Sequence, residues 1–400
     1  MSTPATSRPS IVHLVLALGG FAIGTTEFAT MSLLPYPAHD LRVSVPVASH
    51  LISAYALGVV VGAPLISVLA ARWRRRTLLV ALMGLYALAN GLSAVAPSYG
   101  SMLSLRFLSG LPHGAYFGVA MLVAASVVDT DQRAQAVGRV LLGLTVATIV
   151  GVPLANWLGQ VVGWRWCFGI VAALALATAM LVAMFAPEGR QDKEASAWRE
   201  LNALKRSQVW LTLTIGAIGF GGVFAVYTYL SSTLMAVTAV PARMVSVVFA
   251  AFGVGMTAGN IVVPYFADRA VMRTVGLLLV GSAATLALYP AAAEHFWTVT
   301  LDVMAIGFCG ALATVLQTRL MDVAGDGQSL AAALNHSAFN LANAFGPWLG
   351  GLAIAAGFGW TSSGWVGCGL ALAGLAAWFV ALIADGSPVA AVSSNDRAAV

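Results

Sequence analysis

The chain has 400 residues, of which 60% are hydrophobic and only 9% are charged, and its mean hydropathy is +0.88. Ordinary soluble domains contain roughly 25% charged residues, so this composition excludes a soluble protein and requires lipid as the solvent for much of the surface. The net charge of +5 does not indicate a nucleic-acid partner, because the basic residues are spread along the polar segments between the apolar runs.

Apolar runs long enough to cross a bilayer, which takes about 20 residues per helix, recur along the whole chain. We predict an all-α polytopic membrane protein with twelve transmembrane helices. The predicted spans are 11–34, 46–70, 77–96, 100–128, 135–161, 164–186, 208–235, 244–266, 274–291, 296–320, 328–356 and 360–384.

The polar stretch 187–207 is predicted to be a cytoplasmic linker between two six-helix bundles, 11–186 and 208–384. The polar segments 1–10 and 385–400 are predicted to be disordered tails. With both termini in the cytoplasm, 16 basic residues lie on the cytoplasmic side and three lie outside. The positive-inside rule therefore favours this orientation, which defines the predicted cytoplasmic and outer sides used below.

The second half of the chain resembles the first at a shift of 197 residues. The shift superimposes Gly58 and Gly62 on Gly255 and Gly259, in spans that are both followed by a basic segment. Small residues four positions apart let helix backbones approach closely. Two halves of the same topology predict a parallel repeat about an axis along the membrane normal, with a substrate site near the midplane.

Six stretches carry a family resemblance: GTTEF at 24–28, LISAYALGVVVGAP at 51–64, RFLSGLPHGAYFG at 106–118, GLTVATIVGVPLANWLGQ at 143–160, YTYL at 227–230 and GPWLGG at 346–351. They resemble the major facilitator superfamily, in its twelve-helix drug/proton antiporter branch, and most of all its arabinose-efflux-permease-like (AraJ/YdhP type) members. The resemblance covers nearly the whole chain.

The resemblance implies a monomeric bacterial inner-membrane transporter that exports a small organic solute, such as a drug, sugar or nucleoside, in exchange for protons. It implies alternating access driven by the proton gradient, with no cofactor or metal and no enzymatic activity. Residues of the antiporter motif and its second copy match at Gly143, Gly151, Pro153, Gly159, Gly346 and Pro347.

The basic segment after the second span departs from the family pattern. Ala71 and Arg72 stand where an Asp-Arg pair is usual, and Arg76 ends the basic run. The acid is present in the second copy, as Asp268 and Arg269. The resemblance implies a gating role for these residues, and the missing first-half aspartate puts that role in doubt for the first copy.

Glu27 and Arg106 are the most informative polar residues within the spans. An acid at the centre of a span costs about 2.5–3.5 kcal/mol on insertion scales, so it needs a partner or a water-filled cavity. By helical rise both residues lie about 9–10 Å from the outer end of their spans. We interpret Glu27 as a proton carrier or as the counter-charge of a substrate, with Arg106 stabilising its carboxylate. The structural alternatives are a hydrogen bond to a neighbouring helix for Glu27 and a snorkelling side chain for Arg106.

The remaining in-span polar residues are weaker candidates. His113 and Asp302 are candidates for proton coupling; a packing histidine and a membrane-interface aspartate are the alternatives. For substrate binding the candidates are Tyr227, Tyr229, His336, Asn340 and Asn343. The two tyrosines differ by about 200° around a helix, so only one is expected to face the cavity. The polar residues around 336–343 could equally form hydrogen bonds between helices.

Other functions compete with a proton-coupled exporter. A symporter or facilitator that imports a small metabolite would use Glu27 equally well. A membrane enzyme is disfavoured because no metal-ligand spacing, nucleotide loop or nucleophile–base pair can be assigned. A channel is disfavoured because no selectivity element is visible.

The orientation generates a first prediction. Replacing Arg72, Arg74, Arg75 and Arg76 with Gln should disturb topology or inner gating, because these arginines supply part of the charge that holds their side in the cytoplasm. Topology is measured with a fluorescent C-terminal fusion, and turnover and substrate affinity are measured beside it. A strong loss of substrate affinity with normal topology and turnover would contradict this assignment.

Overall fold

The computed structural model describes residues 9–70, 73–129, 132–188, 202–324 and 328–385, and every regular element in these ranges is helical. Six long helices come from the first half of the chain, labelled α1 to α6. They are Pro9–Ser32 (α1), His50–Leu69 (α2), Arg75–Ala94 (α3), Tyr99–Ser126 (α4), Arg133–Val146 continued through Ala147–Gly151 into Val152–Val161 (α5), and Trp164–Phe185 (α6).

The second half repeats this arrangement with helices α7 to α12. They are Ser207–Gly219 followed by Gly221–Ala236 (α7), 242–269 (α8), 271–292 (α9), Phe296–Cys309 followed by Leu312–Ala324 (α10), Gln328–Ala353 followed by Ile354–Phe358 (α11), and Ser362–Asp385 (α12). Two short helices, Pro35–Asp40 and Val45–Ala48, lie between α1 and α2.

Helices α8 and α9 are parts of one helical stretch, Ala242–Ala292, of 51 residues. At a rise of 1.5 Å per residue the stretch is about 75 Å long, more than twice the hydrocarbon core of a bilayer. It is broken at Ala270, whose φ of −161° and ψ of 76° are not helical. The 11 described helices that are long and apolar enough to cross a membrane therefore provide twelve crossings. This confirms the prediction of an all-α polytopic membrane protein.

The sequence predicted a basic loop of several residues, 267–273, between α8 and α9, and that is wrong. The stretch is helical except for the break at Ala270, because Ala, Arg and Met favour helix and no Gly or Pro follows Pro264 before Gly276. A second irregularity lies in α5, directly before Val152 and Pro153. The structure has a wide π-helical turn, Ala147–Gly151, which takes up the backbone irregularity before Pro153.

The internal repeat extends from the sequence to the contacts. Glycines of α2 and α4 lie against each other's backbone, and the glycines 197 residues later bring α8 and α10 together in the same way. A Cβ added to any of these glycines would overlap the carbonyl oxygen of its partner. The pairs are Gly58–Phe107, Gly62–Leu111 and Gly110–Tyr55 in the first half, and Gly255–Met304, Gly259–Phe308 and Gly307–Phe252 in the second.

Buried hydrophobic residues form clusters that largely follow the two halves. One cluster contains only residues of the first half, between Val12 and Ala186. The largest cluster lies mainly in the second half but also includes Phe28, Met31 and Val152, so the halves are packed together near the predicted outer ends of α1 and α5. Most of the predicted linker and tails lies outside the described residues, although α1 already begins at Pro9.

The close helix contacts generate a second prediction, which compares two glycines in one background. Gly62→Ala should lower the free energy of unfolding by about 1–3 kcal/mol, because the new methyl group overlaps α4 backbone. Gly84→Ala in α3 meets no atom within 4 Å and should stabilise the protein by about 0.5–1 kcal/mol. Thermal unfolding followed by tryptophan fluorescence measures both; equal effects would contradict the backbone contact.

Candidate functional site

Glu27 lies on α1 at the boundary between the two halves. Its side chain is buried, with 6% of its surface exposed. Asn343 of α11 donates a hydrogen bond from Nδ2 to Glu27 Oε1, over 3.1 Å. The acid of the first half is therefore held by an amide of the second half, 316 positions along the chain.

Arg106 lies within α4 and is fully buried, with 1% of its surface exposed. Its guanidinium carbon is 4.3 Å from the ring centre of Tyr55 and 5.4 Å from that of Phe168. Nη1 also donates to Ser109 Oγ over 3.4 Å, whereas Nε is buried with no hydrogen-bond partner. Arg106 forms no ion pair with Glu27 among the described residues, but its positive charge acts on Glu27 at longer range.

Tyr55 links Arg106 to the candidate histidines. Its hydroxyl is 2.9 Å from His113 Nδ1 and 3.5 Å from the hydroxyl of Tyr86. The His113 ring lies 6.4 Å from that of His336 on α11, so the structure brings these two candidates together from opposite halves. Phe117 stacks on His336 with ring centres 5.5 Å apart and planes at 7°.

Sequence analysis did not single out Tyr55, Tyr86 or Phe117. The signal for two of them was present, since Tyr55 and Phe117 belong to stretches that carry the family resemblance. Tyr55 also follows from the repeat, because it lies where α2 meets Gly110 of α4. Nothing in the sequence marks Tyr86, a fully buried tyrosine of α3.

The two tyrosines of α7 have different surroundings. Tyr227 packs edge-on against Phe28 of α1 and Phe249 of α8, with ring centres 5.6 and 4.8 Å away. Its hydroxyl is buried without a hydrogen-bond partner and lies within the field of the Glu27 charge. Tyr229 donates a hydrogen bond to the carbonyl oxygen of Pro347, over 2.8 Å. Tyr229 therefore joins α7 to α11, and Tyr227 belongs with Glu27.

The remaining candidates, Asn340 and Asp302, both lie in the second half. Asn340 donates to the carbonyl oxygen of His336 over 3.0 Å, and its Oδ1, like that of Asn343, is buried without a partner. Asp302 of α10 lies near Tyr289 of α9, and its Oδ2 is buried without a hydrogen-bond partner. Among the described residues Asp302 forms no hydrogen bond with Glu27 or Asn343, so it is separate from the contact between them.

The glycines of the stretch that resembles the antiporter motif lie along one face of α5, and that face packs on α1. A Cβ added to any of them would overlap an atom of α1 or of Leu33, the residue that follows it. The pairs are Gly143 with Ala17, Gly151 with Thr25, and Gly159 with Leu33. In the second half, Gly346 lies against the backbone of Gly221, which packs α11 on α7. Pro153 is the second residue of the last part of α5, which begins at Val152 directly after the π-helical turn.

The chain matches known proteins in both sequence and fold. The family model of the Major Facilitator Superfamily matches residues 16–273 and again 230–398. The chain belongs to the Major Facilitator Superfamily. It is 40% identical over 349 residues to the inner membrane transport protein YdhP of Escherichia coli (strain K12), covering 87% of this chain and 90% of that protein.

Two further similarities agree with this membership. A chloramphenicol resistance protein of Streptomyces lividans is 33% identical over 340 residues, covering 83% of this chain and 86% of that protein. The crystal structure of a mutant of the nucleoside transporter NupG superimposes with a TM-score of 0.76 at 12% identity, covering 92% of this chain and 99% of that chain, which shows the shared fold. The expectation of a multi-pass membrane transporter that is not an enzyme is confirmed.

The basic segments that follow α2 and α8 differ in the contacts of their charged side chains. Glu188, just beyond α6, accepts from Arg74 over 2.8 Å and from Arg76 over 3.1 Å. Asp268 and Arg269 are exposed at the end of α8. Exposed ion pairs contribute little to stability, so the Glu188 pairs are tethers rather than a source of folding energy. Arg72 lies outside the described residues.

Besides the Asn343–Glu27 bond, the hydrogen bonds between the two halves among the described residues lie in the part of the transporter that faces the predicted outer side. They join α1 to α7, α2 to α11, and α5 to α8. The bonds are Ser231 Oγ to Ser32 O, Ser53 Oγ to Ala344 O (2.9 Å), Gln160 Nε2 to Ala242 O (3.0 Å), and Ser246 Oγ to Asn156 Oδ1 (2.9 Å). The structure therefore has its predicted outer side closed.

The two tyrosines of α7 generate a third prediction. Tyr227→Phe should leave thermal stability nearly unchanged, because its buried hydroxyl has no partner to lose. Tyr229→Phe should lower the free energy of unfolding by about 1–3 kcal/mol, since it leaves the Pro347 carbonyl without its donor. Melting of the two variants in the same detergent measures the difference. If Tyr227→Phe destabilises the protein more than Tyr229→Phe, these environments are wrong.

Proposed function

We propose that this protein exports a small organic solute, of the drug, sugar or nucleoside class, in exchange for protons by alternating access. The observation that carries the proposal is Glu27, a buried acid bonded across the boundary between the two halves. Ionisable residues within spans are costly and mark proton or substrate pathways in transporters. Alternating access moves one half against the other, so the surroundings of Glu27 change with each step of the cycle.

Proton coupling requires that the two conformations bind the proton with different affinity. In the structure the carboxyl group of Glu27 has one donor from the second half, Asn343, while Arg106 acts on it from the first half. Movement of the second half removes Asn343 and retains Arg106. The proton affinity of Glu27 therefore depends on which side is open, and this is the thermodynamic requirement for exchange.

The direction of transport rests on the resemblance to antiporters rather than on Glu27. Import of a metabolite by symport would use the same acid. Export is supported by the glycine face of α5 that packs on α1, which resembles the antiporter motif, and by relatives named for chloramphenicol resistance and sugar efflux. With both termini in the cytoplasm, the closed outer side corresponds to the inward-facing half of the cycle.

The fourth prediction tests this function in proteoliposomes. Glu27→Gln should abolish solute flux driven by a pH gradient, because the amide cannot release a proton. It should leave exchange without a pH gradient measurable. Arg106→Ala should also reduce coupled flux, because the charge acting on Glu27 is lost. Chloramphenicol, a hexose and a nucleoside serve as solutes.

Glu294→Gln provides the control, since it removes an exposed acid between α9 and α10 and should leave coupled flux unchanged. Coupled flux of normal size in Glu27→Gln would end the proposal for this residue and transfer it to Asp302 or His113. Solute flux in the same direction as proton flux would indicate symport.

A further inference from the structure

Only one of the two polar side-chain atoms of Asn343 has a hydrogen-bond partner. It is fully buried, and its Nδ2 donates to Glu27 Oε1 over 3.1 Å. Its Oδ1 has no hydrogen-bond partner. Buried polar atoms are nearly always paired, because leaving one unpaired costs the full desolvation of that atom. Oδ1 is therefore an acceptor that a donor beside the carboxyl group of Glu27 can satisfy.

A protonated Glu27 carries such a donor. An ionised carboxylate only accepts hydrogen bonds, whereas a carboxylic acid also has one O–H to donate. A carboxylic acid and a primary amide are complementary: the amide N–H donates to one carboxyl oxygen, and the carboxyl O–H donates to the amide oxygen. The first of these two bonds is present in the structure.

We propose that Asn343 is a positioning residue that recognises the protonated form of Glu27 and thereby ties closure of the outer side to proton binding. The inference rests on the proposed proton-coupled transport. Loss of the proton removes one of the two bonds and places a carboxylate oxygen against the amide oxygen. The link between the halves is then weakened, and the outer side opens to receive the next proton.

The groups around Glu27 agree with this assignment. Arg106 faces it from α4, and Tyr55, Tyr86 and Tyr227 face it from α2, α3 and α7. Arg106 is engaged by aromatic rings and Ser109. Among the described residues, Asn343 is therefore the group whose hydrogen bond to Glu27 crosses between the halves.

The position of Asn343 explains how its bond reaches the outer side. The next residue, Ala344, accepts a hydrogen bond from Ser53 of α2 over 2.9 Å. About two turns further on, Gly351 lies against Pro46 and Ser49 in the segment that leads into α2. The outer part of α11 is thus packed on the first half directly beyond Asn343.

The test measures the width of the outer side against pH without substrate. Spin labels are placed on Pro97→Cys and Glu294→Cys, exposed positions at the outer ends of the two halves, after replacement of Cys167, Cys309 and Cys368. Pulsed electron paramagnetic resonance then measures the distances between the two labels, and the distance distribution gives the ratio of closed to open molecules. In the otherwise native chain this ratio should fall as pH rises. Glu27→Gln should stay closed at every pH, because its N–H replaces the carboxyl O–H.

Asn343→Leu should lower the closed-to-open ratio at least tenfold at low pH, the effect of losing both hydrogen bonds between the two side chains, and should flatten its pH dependence. Asn343→Asp covers the case in which the leucine variant does not fold. Two facing acids share protons at low pH and repel when both are ionised, so its pH response should be steeper than that of the native residue. Asn335→Leu is the matched control: it removes a buried amide of the same helix that donates to Gln317 within the second half, over 2.6 Å, and should keep the native pH response.

A native pH response in Asn343→Leu, or an open outer side in Glu27→Gln, would overturn the proposal. Loss of solute binding in Asn343→Leu with an unchanged pH response would instead identify Oδ1 as a substrate contact. The proposed function and the role of Asn343 can be refuted independently. If the distance between the spin labels changes with pH but a pH gradient does not drive solute flux, the proposed function is refuted. If a pH gradient drives solute flux but the distance does not change with pH, only the role of Asn343 is refuted.

Discussion

A carboxyl group inside lipid must obtain its partners from the protein, because the hydrocarbon offers none. In this transporter that constraint is met across the boundary between the halves, where Glu27 of α1 meets Asn343 of α11. The same boundary is closed by hydrogen bonds of α2 and α5 to the second half. The contact that satisfies the buried acid therefore lies at the same boundary as the contacts that hold the two halves together.

The remaining architecture keeps α1 in place. Van der Waals packing of small residues replaces the hydrophobic effect between helices in lipid, which explains why glycines mark the tightest contacts. The glycine face of α5 follows α1 along its length, from Ala17 to Leu33. The pairs of α2 with α4 and of α8 with α10 recur at the same shift of 197 residues, so each half is built around a similar scaffold. Such close backbone contact leaves α1 little freedom to move independently of α5.

Much of the fold could be predicted from the sequence, because hydropathy sets the number of spans and small residues at helical spacing set the close contacts. The candidate residues Glu27, Asn343, His113 and His336 were also found, since polar groups are conspicuous in apolar helices. Their pairing was not predicted. Helical periodicity defines the face on which a residue lies but not which helix opposes it. Arg106 illustrates the difference: its depth followed from residue counts, whereas its placement on the Tyr55 ring depends on three-dimensional packing.

The break at Ala270 makes the two halves mechanically unequal despite their matching helix contacts. The first half connects α2 to α3 through a non-helical segment at Trp73 and Arg74, held to the end of α6 by charge. The second half connects α8 to α9 through a single non-helical residue within continuous helix. A displacement of α8 therefore moves α9 directly, because only one non-helical residue separates the two helices. The corresponding joint of the first half carries exposed ion pairs, which dissolved salt screens. Ionic strength thus weakens the ion pairs at the joint between α2 and α3, whereas no ion pair joins α8 to α9 among the described residues.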